Sequence, residues 1–599
     1  MRALTRLVTA LALIAGATLV ATPTTAEAAS GWTPRPAVYP KTVTRTDLPI
    51  TMSDGVVLKG DLVLPADADG QAVPGRFPVI VTITAYNKSV QQYAGGLAGG
   101  APSYLVQRGY AQLTVDARGT GSSAGQWCAF CTREDVDSTE IMNWAHAQPW
   151  SNGDTAMAGP SYMGINQIFA AAGKPAGLKA IFPQVPAGDV YRDVVASGGQ
   201  LDVGFIPLWL GLVTFTGLLP PMTPPTDASP LTTLVDHLIG GGSFTLPLIL
   251  EAFTGGEPAY DGPFYAQRSP INVVSNVDVP TFLVSGEFDL FQRGTPLLFE
   301  NLQKRGVPAK LIVGPWNHLQ ASAGEEVGKA GLGTLDELKL RWFDHYVKGL
   351  PDPGLDSDIP PVTYYEQGTG SWLHAPSWVG ERKAVSYRLS EMSQKGSANL
   401  LPIPVAGLCT RSADQWTAGL LSTAGEGPCL RNNKLNDSMG VVYETAPLTS
   451  PLAFQGPINA RLYTSSASGD GMLSVAVEDV SPTGVVTRLT AGWQVISHRA
   501  LDTGRSRYLD GKLIQPYHPF TKSAQDKLGW GEVAPVDVEI FPTGGRIQPG
   551  HRLRIAVQAF DVPHLLPTLP DLLGTLTVVK IHASSTYPSE LTLPALTSP

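Results

Sequence analysis

The chain is short of charge. Only 16% of its 599 residues are Asp, Glu, Lys or Arg, and 42 basic residues face 51 acidic ones, for a net charge of −9. No basic run of the kind that neutralises phosphates occurs, which argues against a nucleic-acid partner. Internal repeats and long low-complexity linkers are missing too, so no repeat array accounts for the length. Cysteine is scarce: Cys128, Cys131, Cys409 and Cys429 are all there are. None follows the N-terminal apolar run where a lipid anchor would need it. The Cys128-x-x-Cys131 spacing also suits zinc, but a zinc site needs a second ligand pair and none stands nearby in sequence. As a redox motif it would be expected to open a helix in a much smaller fold. An even number of cysteines in an exported chain reads as disulfides. The local pairs Cys128–Cys131 and Cys409–Cys429 are the obvious choice among connectivities that the sequence leaves open. Long unbroken apolar runs are lacking beyond the N-terminus. Residues 203–222 come nearest, but Gly204, Pro207, Gly211, Gly217, Pro220 and Pro221 interrupt them. They read as a buried or cleft-lining segment, not as a stable membrane span.

What is present is an apolar, globular composition, 43% hydrophobic, in a length that suits about two or three domains. Arg2 and Arg6 precede, as a positive n-region, an apolar stretch over 7–21 that is too short to span a bilayer comfortably, and Ala26-Glu27-Ala28 is an A-x-A cleavage site. Residues 1–28 are therefore expected to be a signal peptide and the protein to be secreted, with an uncleaved anchor as the alternative. From residue 42 onward, strand patterns at 79–84, 111–116, 155–158, 178–182, 281–284 and 310–313 alternate with helical ones at 103–108, 139–147, 166–172 and 296–305. That rhythm predicts an α/β fold, a mostly parallel sheet covered on both faces. Residues 43–64 read as an antiparallel hairpin turning at Ser53-Asp54-Gly55. Between about 189 and 267 the rhythm breaks into apolar, Gly- and Pro-rich, weakly helical sequence, which predicts a cap inserted over the active edge. Beyond Trp372, β-type runs at 458–463, 472–477, 538–540 and 552–557 predict an all-β jelly roll. The expected division is a catalytic domain over 29–374 and a β-sandwich over 375–599.

Gly159-Pro160-Ser161-Tyr162-Met163-Gly164 falls between a strand and a helix. A serine on such a turn is pushed out at the C-terminal edge of the sheet, in the manner of the nucleophile elbow of the α/β-hydrolase fold. The second glycine comes one residue later than in G-x-S-x-G. In that fold the order is Ser, acid, His, and both partners stand just past strand ends here: Asp289 after 281–284 and His318 after 310–313. Glu287 is the nearest competitor for the acid, its alternative role being a solvated loop carboxylate. The chemistry needs each type: imidazole takes the weakly nucleophilic hydroxyl's proton, and a carboxylate fixes the imidazole tautomer. One oxyanion donor should be the backbone N–H of Tyr162, the residue after the serine. The second should come from the loop after 79–84, where Tyr86 stands.

Further motifs surround these. They are Ala85-Tyr86-Asn87-Lys88, Asp116-Ala-Arg-Gly-Thr-Gly-Ser-Ser-Ala-Gly125, Gln148-Pro-Trp-Ser-Asn-Gly153, Asp261-Gly-Pro-Phe-Tyr265, Ser269-Pro270, Gly286-Glu-Phe-Asp289, Gly314-Pro-Trp-Asn-His318 and Arg341-Trp-Phe-Asp-His-Tyr346, with Gly456-Pro-Ile-Asn-Ala-Arg-Leu462 and Pro549-Gly-His-Arg-Leu-Arg554 near the C-terminus. In that order the chain resembles the cocaine-esterase and Xaa-Pro dipeptidyl-peptidase family of serine hydrolases. The resemblance implies an α/β hydrolase with a helical cap and a C-terminal jelly roll. It implies Ser161 as nucleophile, Asp289 as acid, His318 as base and the Tyr86 hydroxyl as second oxyanion donor, with no metal or cofactor. It covers most of the chain except the cap.

An acyl hydrolase acting on a small ester or a short peptide is the reading that follows. The alternative is a secreted binding protein on a decayed hydrolase scaffold, but decay would normally cost one of the three residues and none is lost. An Xaa-Pro dipeptidyl peptidase must hold a free ammonium, for which Asp189, Asp193 and Asp202 are candidates. An esterase needs an apolar pocket, which Phe205, Trp209 and Phe215 of the cap are expected to line.

Overall fold

The computed structural model describes residues 32–91, 102–219, 230–380, 382–393, 396–425 and 427–596. The leader expected over 1–28 and the end of the 203–222 segment lie outside these. The first part of the chain builds a ten-stranded sheet. Its strands are β1 (Lys41–Thr51), β2 (Val57–Ala66), β3 (Phe77–Thr84), β4 (Ala111–Asp116), β5 (Ser151–Pro160), β6 (Leu178–Gln184), β7 (Thr281–Phe288), β8 (Ala309–Asn317), β9 (Val362–Glu366) and β10 (Ser371–Ala375). They lie in the order β1-β2-β4-β3-β5-β6-β7-β8-β9-β10. The run from β4 to β9 is parallel, and β1, β2 and β10 are antiparallel to their neighbours. The β1–β2 hairpin closes as expected, with the Gly55 N–H donating to the Met52 carbonyl. Pro78 offers no N–H, and the β3–β5 ladder shifts register between Phe77 and Val79.

Alternation along the strands separates two cores. Ile80, Phe182, Phe282, Val284 and Ile312 pack with Leu338, Trp342 and Phe343. Val81, Ile181, Leu283, Leu311 and Val313 join Ile141, Ile165, Ile168 and Leu298 in the other. The helices that supply these residues are α1 (Thr132–His146), α2 (Tyr162–Ala172), α6 (Gly294–Lys304) and α8 (Leu335–Tyr346). Both faces are thus covered, as near-continuous apolar parallel strands require.

Between β6 and β7 lie α3 (Ile206–Leu218), α4 (Pro230–Gly240) and α5 (Leu246–Phe253). The segment expected to be weakly helical holds a 13-residue helix in α3, because Pro207 falls in its first turn, where no helical N–H is lost. The run Thr232–Phe253 is long and apolar enough, by length and composition alone, to cross a membrane. Its C-terminal part, from Phe244 to Phe253, contributes to the lining of the cleft described below. After α7 (His318–Ala323) and α8, a second, antiparallel sheet begins at Arg382–Arg388. It continues in the spatial order Glu590–Leu596, Leu452–Ser466, Ala534–Ile547, Val486–Val495, Met472–Val480, Arg552–Gln558 and Val441–Glu444. Phe454, Ile458, Leu462, Val475, Val538 and Ile555 fill its core, which makes this the expected all-β domain.

Candidate active site

Ser161 alone makes the turn from β5 into α2, at φ 58° and ψ −124°. An L-residue adopts that left-handed φ only when its surroundings hold it there. Two glycines allow the packing: a Cβ on Gly159 would lie 2.7 Å from Met163 Cβ, and one on Gly164 would lie 2.6 Å from the Gln184 carbonyl oxygen. The second glycine comes late because α2 meets the end of β6 at position 164. The Ser161 N–H donates to that same Gln184 carbonyl at 2.9 Å.

The next two strand ends bring the partners. Asp289 follows β7 directly. His318 opens α7 behind Asn317, whose side chain caps the helix in a box with Gln320. His318 Nε2 stands 2.9 Å from Ser161 Oγ, and Nδ1 stands 2.6 Å from Asp289 Oδ2. Asp289 Oδ1 accepts from the Phe291 N–H at 2.7 Å, which holds the carboxylate edge toward the ring. All three side chains are buried. Glu287, weighed as a solvated alternative acid, is not solvated, and it is Asp289 that meets the His318 ring. Glu287 is fully buried and accepts from Thr543 Oγ1 at 2.6 Å and the Gly544 N–H at 3.1 Å, both in the β-domain.

Tyr86 stands in the loop after β3, its hydroxyl facing the Ser161 hydroxyl and the Tyr162 N–H and accepting from Trp209 Nε1 at 3.1 Å. Burial raises its pKa; Ser161, Trp209 and the Tyr162 N–H pull the other way. The loop is anchored from behind. The Asp116 carboxylate accepts from the N–H groups of Lys88 and Ser122 at 2.6 and 2.7 Å, and buried Lys88 pairs with Asp47 and Asp61.

The pattern of the X-Pro dipeptidyl-peptidase (S15) family matches residues 54–320, and that of the X-Pro dipeptidyl-peptidase C-terminal non-catalytic domain matches residues 354–592. A Mycobacterium tuberculosis protein whose name marks it as a candidate serine esterase is 29% identical, over 91% of this chain and 94% of its own. The cocaine esterase of Rhodococcus sp. is 26% identical, over 91% of this chain and 97% of its own. Among solved structures, a CocE/NonD family hydrolase from Staphylococcus aureus superposes with a TM-score of 0.69 at 20% identity, covering 93% of this chain and 94% of that one. The chain belongs to the cocaine-esterase and Xaa-Pro dipeptidyl-peptidase family of serine hydrolases. In this family member a cleft of about 950 Å³, its open mouth included, lies against Ser161 and Tyr162. Its walls are almost wholly apolar. Phe205 and Trp209 line it, together with Phe244, Leu248 and Phe253, which the sequence reading missed. Phe215 does not line it. Its side chain is 51% exposed, because six residues of helix turn it far around α3 from Trp209. Phe130, between two cysteines, also faces the cleft; its place in a short disulfide loop was the signal for it.

Both local disulfides are formed, Cys128–Cys131 and Cys409–Cys429. Cys131 caps α1, so this pair does precede a helix. Glu134 lies near enough to the two sulfurs to suggest a metal trio, but sulfurs bonded to each other offer no thiolate. Of the acids considered for an ammonium, Asp189 pairs with Arg192 at 2.8 Å and Asp193 with Arg293 at 3.1 Å. Asp202 lines the cleft, but its Oδ1 caps α3 through the N–H groups of Phe205 and Ile206. Burial pushes its carboxyl well above the usual carboxylate range.

Proposed function

We propose that the protein is an exported carboxylic-ester hydrolase in which Ser161, His318 and Asp289 act as the catalytic triad. The observation that carries this reading is the hydrogen-bonded row from Asp289 Oδ2 through His318 to Ser161 Oγ, which opens onto an apolar cleft. His318 takes the serine proton as Oγ attacks the acyl carbon, and Asp289 stabilises the imidazolium that forms. The negative oxygen of the tetrahedral intermediate is met by the Tyr162 N–H and the Tyr86 hydroxyl. His318 then protonates the departing alcohol, and water repeats the sequence on the acyl-enzyme. An ester is favoured over an Xaa-Pro peptide because, among the described residues, the carboxylate that lines the cleft, Asp202, is already engaged in capping α3. Export is supported by the N-terminal sequence pattern and by the paired cysteines.

The test uses protein recovered from the culture medium, whose N-terminus should begin after Ala28. Turnover of nitrophenyl esters is compared with that of an Xaa-Pro nitroanilide, in wild type and Ser161→Ala. Ester turnover with little anilide turnover is expected, together with a loss of about a million-fold in the alanine variant. Retention in the cells would overturn export. Preference for the anilide would overturn the ester reading, and activity above about a hundredth of wild type in Ser161→Ala would overturn the nucleophile.

A further inference from the structure

The cleft wall beside Tyr162 is made by a loop that the hydrolytic machinery does not use. Ala129 and Phe130 stand between Cys128 and Cys131 with φ of 51° and 60°, consecutive non-glycine residues in the left-handed region. Such a pair persists only where its surroundings dictate it. One constraint is the disulfide. The other is Glu134, whose buried carboxylate accepts from the Cys128 N–H at 3.0 Å and the Phe130 N–H at 2.9 Å. The same carboxylate accepts from the Tyr162 hydroxyl at 2.6 Å. A single acid therefore ties the loop to the residue that follows the nucleophile. So held, the Phe130 ring packs 4.4 Å from the ring of Tyr162 and lies parallel to Trp209 at 6.4 Å, with the buried Phe169 ring 6.3 Å away in the core. Ala129 and Phe130 both line the cleft with Ser161.

We propose that this disulfide-closed loop sets the acyl selectivity of the site. Phe130 is its specificity-determining residue, and Glu134 and the Cys128–Cys131 bond position it. The proposal rests on the ester-hydrolase reading and names what part of the ester that site measures. The ring on Tyr162 and Trp209 forms a rigid apolar wall for the acyl chain. Opening the loop frees Ala129 and Phe130 to leave the left-handed region, and the wall goes with them. Selectivity then follows the redox state of one bond. A dithiol gives up two electrons and two protons to the paired sulfurs, leaving two cysteine thiols and its own disulfide. Both cysteines are half-buried, within reach of a small reagent.

The experiment measures kcat and KM over nitrophenyl esters from acetate to decanoate in the full-length protein. The variants are Phe130→Ala, Phe130→Leu, Glu134→Gln and Cys128→Ser with Cys131→Ser, and fluorophosphonate labelling of Ser161 checks that each is folded. The ratio of kcat/KM for the long ester over the short one should fall roughly tenfold or more in Phe130→Ala and in the paired serine variant. The fall should come through KM for the long ester, with Phe130→Leu restoring much of it and Glu134→Gln intermediate. Dithiol treatment of a Cys409→Ser, Cys429→Ser protein should reproduce the change with the other disulfide out of play. A Phe130→Ala protein that labels normally and keeps the wild-type ratio overturns the proposal, whatever becomes of the cysteine variants. A wild type that labels yet turns over no ester in the series instead defeats the underlying reading.

Discussion

A phenol oxygen can accept as well as donate, and at Tyr86 the accepting capacity is already engaged. Trp209 Nε1 donates to it at 3.1 Å and the Tyr162 N–H lies beside it. Burial raises its pKa and keeps the proton on. The hydroxyl proton is thus left to point toward Ser161 and the oxygen that develops there. Tyr86→Phe should cost about 2.7–4 kcal/mol of transition-state stabilisation, read mainly in kcat. A change confined to KM would make Tyr86 a substrate contact instead. Single residues differed in how far the sequence disclosed them. Ser161, Asp289 and His318 each follow a strand whose apolar run is plain in the sequence, so a strand end locates each. Tyr86 also stands just past a strand end, but a tyrosine in a loop is ordinarily a packing residue, so its role rested on family resemblance. Glu287 was read as solvated because what buries it, Thr543, stands 256 residues away, beyond any local pattern.

Among the elements, α3 does two tasks with one helix. Phe205, Ile206, Trp209 and Leu210 line the cleft, while Leu208, Leu212 and Phe215 face out, 46%, 39% and 51% exposed. The helix is apolar on every side, so its hydrophobic periodicity names no inner face. That is why Phe215 was expected beside Trp209, and why only the tertiary structure separates them. The hydrolase strands were easier to read, because parallel strands buried on both faces are continuous apolar runs. Trp209 couples the two tasks, since it walls the cleft and holds the Tyr86 oxygen. Trp209→Phe keeps a ring but loses the N–H donor, and should lower kcat by a similar factor for every ester. Trp209→Ala should add a loss of kcat/KM that grows with acyl length, up to about 0.8 kcal/mol per CH₂ no longer buried. A length-independent loss in both variants would remove Trp209 from the acyl wall.

At the scale of the whole molecule, the β-domain braces the loops that carry the acid and the base. Gln415 Nε2 donates to the Asp289 carbonyl at 3.0 Å, and Asn317 Nδ2, next to His318, donates to Asp414 and Ser422 at 3.1 and 2.9 Å. Those partners lie in the loop that Cys409–Cys429 closes. Glu287, two residues before Asp289, makes a further tie through Thr543 and Gly544. Burial lifts its carboxyl from 4.5 to about 8. In the folded protein Glu287 therefore keeps a proton that the unfolded chain releases above about pH 4.5. Between these values the folded state binds more protons, so this group's contribution to stability falls as pH rises toward 8 and levels off above. A tenfold difference in proton affinity is worth about 1.4 kcal/mol, so a few kcal/mol at most depend on this one group. Glu287→Gln removes the titration while keeping a group of similar size. The melting temperature of the variant relative to wild type should therefore climb steadily from pH 5 to pH 8. Asp116, lifted by its burial to about 7, pushes the whole protein the same way, but it is common to both proteins and cancels in the difference. A difference that stays flat across this range would mean that Glu287 is ionised in the folded protein, and that the tie between the two domains is a charged one.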